Sequence, residues 1–384
     1  MSTRNVIVDG PVQTERRDDE ADVVFPCAEE AGRRLAQRLS GQRPLFVCVI
    51  ATTDTALVPG ISAAGATHEL IPFTAAADAE FLAYGAARCV AGLPSNPLGP
   101  PGPALITRAA LQLANIPHVV VNAGCSVGPD APCISIGSRP GTLISLGYAV
   151  PNARALFARG RALGRQLAST FPYLVIGESV PGGTTTALAL LRGLGIAADG
   201  RVSSSMAANA HTTKSALVAS ALTHLDPEAA RADPLTIIAT VGDPMQAVVA
   251  GLASGCLDAG RPALLAGGTQ MIAVLALVNR LASCGVVQKP AEQLAVTTTR
   301  WVVSDPLADA RGLHREVGPD PLIATSLSFA TSRHVSLRRY EEGLVKEGVG
   351  AGGAAVAASL SLGVTCADLL VEIDRLTDRL EASA

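Results

Sequence analysis

The sequence predicts an α/β fold of the Rossmann-like kind, a parallel β-sheet flanked by helices, with a small helical lobe formed by the N- and C-terminal segments. Short, almost wholly apolar runs recur along the chain, as expected for strands that are buried on both faces. Three of these runs pass through a Gly-containing turn into an Ala- and Leu-rich stretch, an order typical of parallel sheets. We therefore expect a ligand site beyond the carboxyl ends of the strands.

The elements are predicted in chain order as follows. Residues 1–24 are polar with mixed charge and predict a mobile tail. Helix formers predominate over 27–39, and Gly41 then acts as a stop signal. The segment 60–105 is rich in Gly and Pro and predicts a long functional or disordered loop. Strands are predicted at the apolar runs Leu45–Ala51, His118–Asn122, Tyr173–Ile176, Leu235–Thr240 and Pro262–Ala266.

The C-terminal stretch predicts an amphipathic helix. Thr365 and Asp368 have the spacing of a capping box at its start. Its apolar side chains fall on one stripe, at Leu369, Ile373, Leu376 and Leu380. The uncharged span 348–367 is long enough to cross a bilayer, but Gly, Ala and Ser dominate it, which favours a buried helix. The predicted domains are a tail, a helical lobe and an α/β nucleotide- and base-binding domain: 1–24, 25–42 with 341–384, and 43–340.

Composition and charge disfavour several classes of protein. Lys and Arg total 30 and Asp and Glu total 33, so the formal net charge of −3 offers no general attraction to nucleic acid. Aromatic residues make up 3%, too few for base-stacking platforms. The eight cysteines form no CxxC pair, which argues against a zinc site or a disulfide framework. The charged N-terminus lacks the apolar region of a signal peptide, and we predict a cytoplasmic protein without membrane or nucleic-acid partners.

The segment Gly177–Thr184, GESVPGGT, has the spacing of a phosphate-binding GxxxxGK[ST] loop between a strand and a helix. Gly183 stands where that loop carries Lys, and Glu178 would repel a triphosphate, so the loop predicts a monophosphate ligand and not ATP. Backbone amides of Gly182, Gly183 and Thr184 can hold the phosphate, while Glu178 can accept hydrogen bonds from ribose hydroxyls. The alternative is a turn that only joins a strand to a helix.

Lys214 and Glu347 are the candidate charged partners of this loop. Lys214 lies in AHTTKSALVAS, almost without other charge, and suits a phosphate, although an exposed lysine on a helix surface is the alternative. Glu347 lies in KEGVGAGGAAVAAS, where glycines let a flat ligand or sugar phosphate approach. A carboxylate in such surroundings should lose solvation and gain proton affinity, as a general base near neutral pH needs. The alternative is a Glu that only favours the start of a helix.

Several segments together resemble one enzyme family. They are GESVPGGTTTALALL, GDPMQAVVAGLASG, PALLAGGTQM and KEGVGAGGAAVA, with ATTDTALVPGISAAGA, FTAAADAEFLAYG and PGPALITRA in the N-terminal half. In this order they resemble the nicotinate-nucleotide:dimethylbenzimidazole phosphoribosyltransferase family, most strongly its longer archaeal and cyanobacterial branch. The resemblance covers residues 46–358.

The resemblance implies transfer of phosphoribose from nicotinate mononucleotide to a benzimidazole-type base, which yields an α-riboside phosphate for a cobamide lower ligand and releases nicotinate. Glu347 matches the glutamate of the family's EGxGA motif, the proposed base. Neither a cofactor nor a metal is predicted, and the family together with 48% hydrophobic residues predicts a homodimer. The predicted substrate-binding residues are Glu178, Gly182, Gly183, Thr184, Thr185, Lys214, Gly242, Asp243, Gly267, Gly268, Gly348 and Gly350.

The chain departs from the family pattern at two turns. Ala266 and Gly267 stand where bacterial enzymes carry an acidic DG pair, and 242–245 replaces their GGLE turn. The acceptor therefore stays open, and a purine or a phenolic compound is an alternative. A catalytically silent nucleotide-binding paralogue that acts as a partner or regulator is another. We expect the acceptor pocket wall in 60–105 to consist of small apolar residues without a polar pattern.

Overall fold

The computed structural model describes residues 21–62, 64–65, 67–90, 99–137, 139–204 and 210–383. Within them, eight strands form one sheet: β1 (Val23–Cys27), β2 (Leu45–Ala51), β3 (His118–Gly124), β4 (Cys133–Ser135), β5 (Leu174–Ser179), β6 (Ala263–Ala266), β7 (Leu294–Thr299) and β8 (Leu322–Thr325). The strands β2, β3, β5 and β6 confirm four of the predicted runs.

The helices of the described residues are α1 (Glu29–Leu39), α2 (Thr74–Tyr84), α3 (Ala104–Leu113), α4 (Ala153–Ala168), α5 (Gly183–Gly193), α6 (His211–Leu222), α7 (Pro227–Ala232), α8 (Leu235–Val241), α9 (Pro244–Asp258), α10 (Thr269–Ser283), α11 (Arg300–Val303), α12 (Ala310–Val317), α13 (Val335–Arg338), α14 (Ala351–Leu362) and α15 (Cys366–Ser383). Short 3₁₀ turns lie at Asp54–Leu57, His68–Phe73, Ile144–Leu146 and Arg339–Glu342. None of the described helices is long and apolar enough to cross a membrane.

The sheet has the strand order β1-β8-β7-β6-β5-β2-β3-β4. Neighbouring strands from β8 to β4 are parallel, and β1 pairs antiparallel with β8 at one edge. The chain runs outward from β2 through β3 and β4 in one direction and from β5 to β8 in the other. The order therefore reverses between β2 and β5, and a crevice at the carboxyl ends of these strands is the expected ligand position.

Both faces of the sheet are covered, as the apolar strands require. Every residue of β2, β5, β6, β7 and β8 is buried. On one face Leu156, Val248 and Leu275, from α4, α9 and α10, belong to one core cluster. On the other face Leu105 and Val356, from α3 and α14, belong to a second cluster. The predicted α/β class is confirmed, with one antiparallel edge strand added.

The predicted strand Leu235–Thr240 is wrong, because this run forms the helix α8. Pro234 precedes its first turn, and the Asp233 carboxylate accepts a hydrogen bond from the Leu235 amide at 2.9 Å. Both features favour the start of a helix. An apolar run this short carries no periodicity that separates a buried strand from a buried helix.

The N-terminal segments also differ from the prediction. The helix predicted over 27–39 begins at Glu29, because Cys27 ends β1. Val23 and Val24 belong to the same edge strand and not to a tail, while residues 1–20 lie outside the described residues. The predicted loop 60–105 is wrong where it contains α2, an Ala-rich helix buried on all sides that shows no amphipathic pattern.

The C-terminal helix has the predicted features. Leu369, Ile373 and Leu376 are buried, and Leu380 packs against the same cluster. The Thr365 amide donates to Asp368 at 2.9 Å, and the Asp368 amide donates to Thr365 Oγ1 at 3.1 Å, which completes the capping box. Helix α14, predicted within the terminal lobe, packs against the strands β5 to β8. The division into domains stays a prediction.

Candidate functional site

A cleft lies at the carboxyl ends of β5, β6 and β7. Its two adjoining hollows share several wall residues: Glu178, Thr184, Ser204, Gln270, Val345 and Glu347. The larger hollow, of about 130 Å³, is also lined by Asp78 and residues of 61–65 and is called the Asp78 lobe. The smaller, of about 40 Å³, is also lined by Ser203, Gly268, Thr269, Val302 and Lys346 and is called the Lys346 lobe.

Glu347 lies in the wall between the two lobes, and its carboxylate is held by the end of β7. Its Oε2 accepts hydrogen bonds from Thr298 Oγ1 at 3.1 Å and from the Thr299 amide at 2.9 Å. Its Oε1 accepts from the amides of Gly352 at 3.1 Å and Gly348 at 3.3 Å. Burial raises the pKa of Glu347 to about 7, against the opposite effect of these four donors. The carboxyl is therefore fixed in place and changes protonation near neutral pH.

The turn that carries Glu347 is strained. Val345, Lys346 and Val349 have φ values of 73°, 66° and 53°, which are unusual for residues with a Cβ and most of all for valine. Hydrogen bonds hold the turn on both sides of the carboxylate. Thr299 Oγ1 donates to the Lys346 carbonyl at 2.6 Å, and the Val349 amide donates to the Glu178 carbonyl at 2.8 Å. Strain of this kind persists only where the surroundings over-determine it, as at functional sites.

A buried ion pair supports the same turn. Lys346 Nζ lies 2.8 Å from Asp305 Oδ2 and 3.0 Å from the Ser204 carbonyl, and both charged side chains are almost completely buried. The Ser203 hydroxyl also donates to Asp305 Oδ2 at 2.7 Å. A buried pair with these additional hydrogen bonds fixes its position in the fold, because loss of one partner leaves an uncompensated charge.

Glu178 is the penultimate residue of β5 and lies beside Glu347. It is 2% exposed, and its Oε2 accepts a hydrogen bond from Gln270 Nε2 at 2.9 Å. Burial, and then the negative charge of Glu347, raise the pKa of Glu178 well above its usual value. Two neighbouring carboxyls in one cleft do not both ionise easily, so a cationic or hydrogen-bond-donating ligand between them is favoured.

The predicted phosphate loop leads from β5 into α5 and lines the Asp78 lobe, and its Thr184 also lines the Lys346 lobe. Gly182 has a φ of 76°, and α5 begins at Gly183, whose amide donates to the Val180 carbonyl at 3.0 Å, so Thr184 is the first residue of the helix that can offer its amide to a ligand. Lys214 is fully buried and donates from Nζ to Thr184 Oγ1 at 3.0 Å, which excludes the alternative of an exposed lysine. Burial, and then the charge of Lys346, lower the pKa of Lys214 to about 8. Amides and a buried cation together favour a phosphate.

The Asp78 lobe has a polar wall. Asp78 is 4% exposed, and its Oδ2 accepts a hydrogen bond from Ser179 Oγ at 2.7 Å. Burial raises the pKa of Asp78 to about 7. Ser62 and Thr74 add hydroxyl groups to the lining. The expectation that 60–105 would supply only small apolar residues is therefore wrong, because a single carboxylate in an Ala-rich helix gives no recognisable pattern.

Most of this chain aligns with proteins of one family. The UPF0284 protein glr4139 of Gloeobacter violaceus is 49% identical over 361 residues, 93% of this chain and 94% of that protein. The UPF0284 protein of Sulfolobus acidocaldarius is 42% identical over 336 residues, 87% of this chain and 94% of that protein. The chain belongs to the UPF0284 family.

A family model described as phosphoribosyltransferase matches residues 117–287 of this UPF0284 protein. The crystal structure of nicotinate-nucleotide-dimethylbenzimidazole phosphoribosyltransferase from Thermus thermophilus superposes with a TM-score of 0.59 at 20% identity, covering 88% of this chain and 90% of that one. A structure named CobT from the same organism superposes with the same TM-score and identity over 86% and 90%. These matches confirm the fold and the resemblance to the phosphoribosyltransferase family.

The structure brings together part of the predicted site. Lys214 reaches the cleft through Thr184, as described above. The predicted residues that line the cleft are Glu178, Gly182, Gly183, Thr184, Gly268, Gly348 and Glu347. Thr185, Gly242, Asp243, Gly267 and Gly350 are not among the lining residues, and their substrate contacts stay predictions. Asp243 is the N-cap of α9 and also accepts a hydrogen bond from Thr186 Oγ1 at 2.5 Å.

The glycines after Glu347 have a different role from the one expected. We expected them to let a ligand approach, but apart from Gly348 they let protein segments approach each other. A Cβ on Gly350 would lie 2.8 Å from the Cα of Gly177, and one on Gly352 would lie 2.0 Å from the carbonyl carbon of Thr298. These contacts dock α14 against the sheet and so place the Glu347 turn at the strand ends.

Three functional candidates were missed by reasoning from the sequence. Gln270 directly follows the Gly267–Thr269 turn, and Lys346 directly precedes Glu347, so adjacency to a motif was a usable signal. Asp78 gave no signal beyond being a rare charge in α2. Among the described residues, no group of three His, Cys, Asp or Glu side chains is arranged to hold a metal ion.

Proposed function

We propose that this UPF0284 protein is a nicotinate-nucleotide-dependent phosphoribosyltransferase, which moves phosphoribose from nicotinate mononucleotide to a benzimidazole-type base and releases nicotinate. The bond between C1′ of the ribose and the nicotinate ring nitrogen breaks, and its electron pair returns to that nitrogen. A ring nitrogen of the acceptor forms the new bond to C1′, and its N–H proton passes to Glu347. The product is an α-riboside phosphate of the kind used as a cobamide lower ligand.

The fixed carboxyl of Glu347 in the wall between the two lobes is the observation that carries this proposal. Its oxygens are held by Thr298, Thr299 and Gly352, so it meets an acceptor in one defined orientation. A pKa raised to about 7 by burial makes it basic enough to take a proton near neutral pH. A positioned general base of this kind contributes about a hundredfold to ten-thousandfold in rate.

The donor fits the basic side of the cleft. Its phosphate is a dianion, which the start of α5 at Thr184 and the buried ammonium of Lys214 can hold together. Its nicotinate ring is a pyridinium cation while attached to ribose, and Glu178 and Glu347 supply carboxyls beside the loop. Departure neutralises the ring charge, so the leaving group needs no proton. What the protein adds is an oriented acceptor and its deprotonation.

Nicotinate release in the presence of an acceptor base tests the proposal. The purified protein is incubated with nicotinate mononucleotide and 5,6-dimethylbenzimidazole, adenine or a phenol, and products are identified by mass. We expect equal amounts of nicotinate and a riboside phosphate with at least one nitrogen base. Binding of the mononucleotide without nicotinate release from any mixture would instead support the silent paralogue.

The homodimer stays a prediction, and a light-scattering mass near the 39.0 kDa of one chain would contradict it.

A further inference from the structure

Helix α2 carries two carboxylates with opposite surroundings, Asp78 and Glu80. Glu80 is fully used by the protein's own backbone. Its Oε2 accepts from the amides of Arg88 at 2.6 Å and Cys89 at 2.8 Å, and its Oε1 accepts from the Asp130 amide at 2.8 Å. Burial raises the pKa of Glu80, but the hydrogen bonds from these amides together lower it by more. The pKa of Glu80 therefore lies below its usual value. Glu80 is not among the residues that line the cleft, so it anchors loops and does not meet a ligand there.

Asp78, one helical half-turn earlier, lines the cleft and is incompletely satisfied. Within the described part of the chain, the Ser179 hydroxyl is the donor within hydrogen-bond distance of its carboxyl, at 2.7 Å from Oδ2. A carboxylate can accept about four hydrogen bonds, so most of its capacity is unused. Because the side chain is 4% exposed, bulk water does little to satisfy it. A buried polar group in this state needs a partner from the ligand.

The remaining wall of the Asp78 lobe defines what that partner is. The described residues that line it include no Lys or Arg, so the protein supplies no counter-ion there. Ile61, Pro103 and Val349 provide apolar surface for a flat ring, and Thr74 adds a hydroxyl. By contrast, neither buried lysine lines this lobe: Lys214 donates to Thr184 Oγ1 at the end of the loop, and Lys346 is paired with Asp305 and lines the other lobe. The donor phosphate is therefore assigned to Thr184 and Lys214, and the acceptor ring to Asp78.

We propose that Asp78 selects acceptor bases with a second hydrogen-bond donor, an exocyclic amino group or a ring hydroxyl, besides the ring N–H that Glu347 deprotonates. This inference rests on the proposed function. A base with only methyl groups on its far ring would cover Asp78 without giving it a partner. Sites built to hydrogen-bond a substrate group reject the analogue that lacks it, and one such bond to a carboxylate corresponds to about tenfold to a hundredfold in kcat/KM.

The test compares two acceptors that share the ring and the attacking nitrogen: 5-hydroxybenzimidazole and 5-methoxybenzimidazole, which lacks the donor. The kcat/KM for nicotinate release and the Kd of each base by calorimetry are measured at saturating nicotinate mononucleotide. We expect the parent protein to prefer the hydroxyl compound at least tenfold. In the Asp78→Ala variant, the kcat/KM values for the two bases are expected to lie within about threefold of each other, because the value for the hydroxyl compound falls. Adenine is included as a third acceptor to test whether an exocyclic amino group can serve as the donor to Asp78.

Glu80→Gln is the matched control on the same helix. It is expected to lower the melting temperature, because its amide group cannot accept from all three backbone donors, while the preference for the hydroxyl compound stays unchanged. The inference is overturned if the kcat/KM values of the parent protein for the two bases lie within threefold of each other. It is also overturned if the Asp78→Ala variant keeps the preference for the hydroxyl compound. If no base supports nicotinate release, the proposed function is wrong. A preference in Kd for the hydroxyl compound that depends on Asp78 would in that case still support Asp78 as the group that selects the bound ring.

Discussion

The Lys346 lobe and the Asp78 lobe share the Glu178–Glu347 wall but differ in charge and in construction. The Lys346 lobe is made of turns that follow parallel strands, and it lies beside two buried lysines. The Asp78 lobe adds residues of α2 and others such as Ile61 and Pro103, with the Asp78 carboxyl, hydroxyls and no Lys or Arg among its described lining. The two proposed roles, phosphate binding by Lys214 and base selection by Asp78, therefore rest on side chains from separate elements, α6 and α2, so a substitution can address one without the other.

Breaking the buried ion pair gives the largest expected effect and tests how strongly that pair stabilises the wall of the Lys346 lobe. Asp305→Asn leaves the Lys346 ammonium buried without its carboxylate, which costs about 3–5 kcal/mol in the free energy of unfolding. Denaturant unfolding measures it. The exposed pair Arg192–Asp199 is the control, and Asp199→Asn should cost less than about 1 kcal/mol. A loss for Asp305→Asn no larger than the control would show that the pair does not hold the turn.

Lys214→Met tests the donor side by itself. Removing the buried ammonium that lies 3.0 Å from Thr184 Oγ1 should raise the KM for nicotinate mononucleotide about tenfold to a hundredfold, because a charge-assisted hydrogen bond to phosphate is lost. The Kd of the acceptor base should stay within about threefold. Steady-state kinetics with either substrate varied separates the two. An equal loss for donor and acceptor would contradict the division of the cleft into two functions.

The pH dependence of kcat/KM should show the titration of two groups at the cleft, Glu347 and Lys214. Glu347 must be ionised to accept a proton, so kcat/KM should fall about tenfold per unit as the pH drops below about 7. Lys214 must be protonated to attract phosphate, so kcat/KM for the donor should fall again above about pH 8. The Lys214→Met variant should lose the upper limb and keep the lower one. A profile that is flat from pH 5 to 9 would contradict both assignments.

A smaller effect is expected where the loop meets Gln270. A Cβ on Gly183 would lie 1.9 Å from Gln270 Nε2, so Gly183→Ala must push that flexible side chain away and break its hydrogen bond to Glu178. Loss of one such bond should lower kcat/KM by about threefold to tenfold without a large change in melting temperature. Gln270→Ala should produce the same loss, and the two substitutions combined should cost little more than either alone.

The contrast between the lobes also explains what the sequence predicted. Strands such as β2 and β5 are continuous apolar runs, and the turn at Gly182 has a positive φ, which favours glycine. Both features can therefore be recognised in the sequence. Helix α8 was mistaken for a strand because a run of seven residues, five of them apolar, fits either structure. Asp78 was missed because its proposed role comes from tertiary placement: its carboxylate lines a cleft, although it lies in the buried stretch 75–82 of α2.

The central claim, that this cleft transfers phosphoribose with Glu347 as the base, is tested most directly by Glu347→Gln. The variant keeps the size of the side chain and removes its basicity. With a neutral acceptor base at pH 8, nicotinate release should fall at least about a hundredfold, while the Kd for nicotinate mononucleotide stays within about threefold. An acceptor supplied already as its anion should recover part of the loss. Turnover of the variant within about threefold of the parent with a neutral base would contradict the claim.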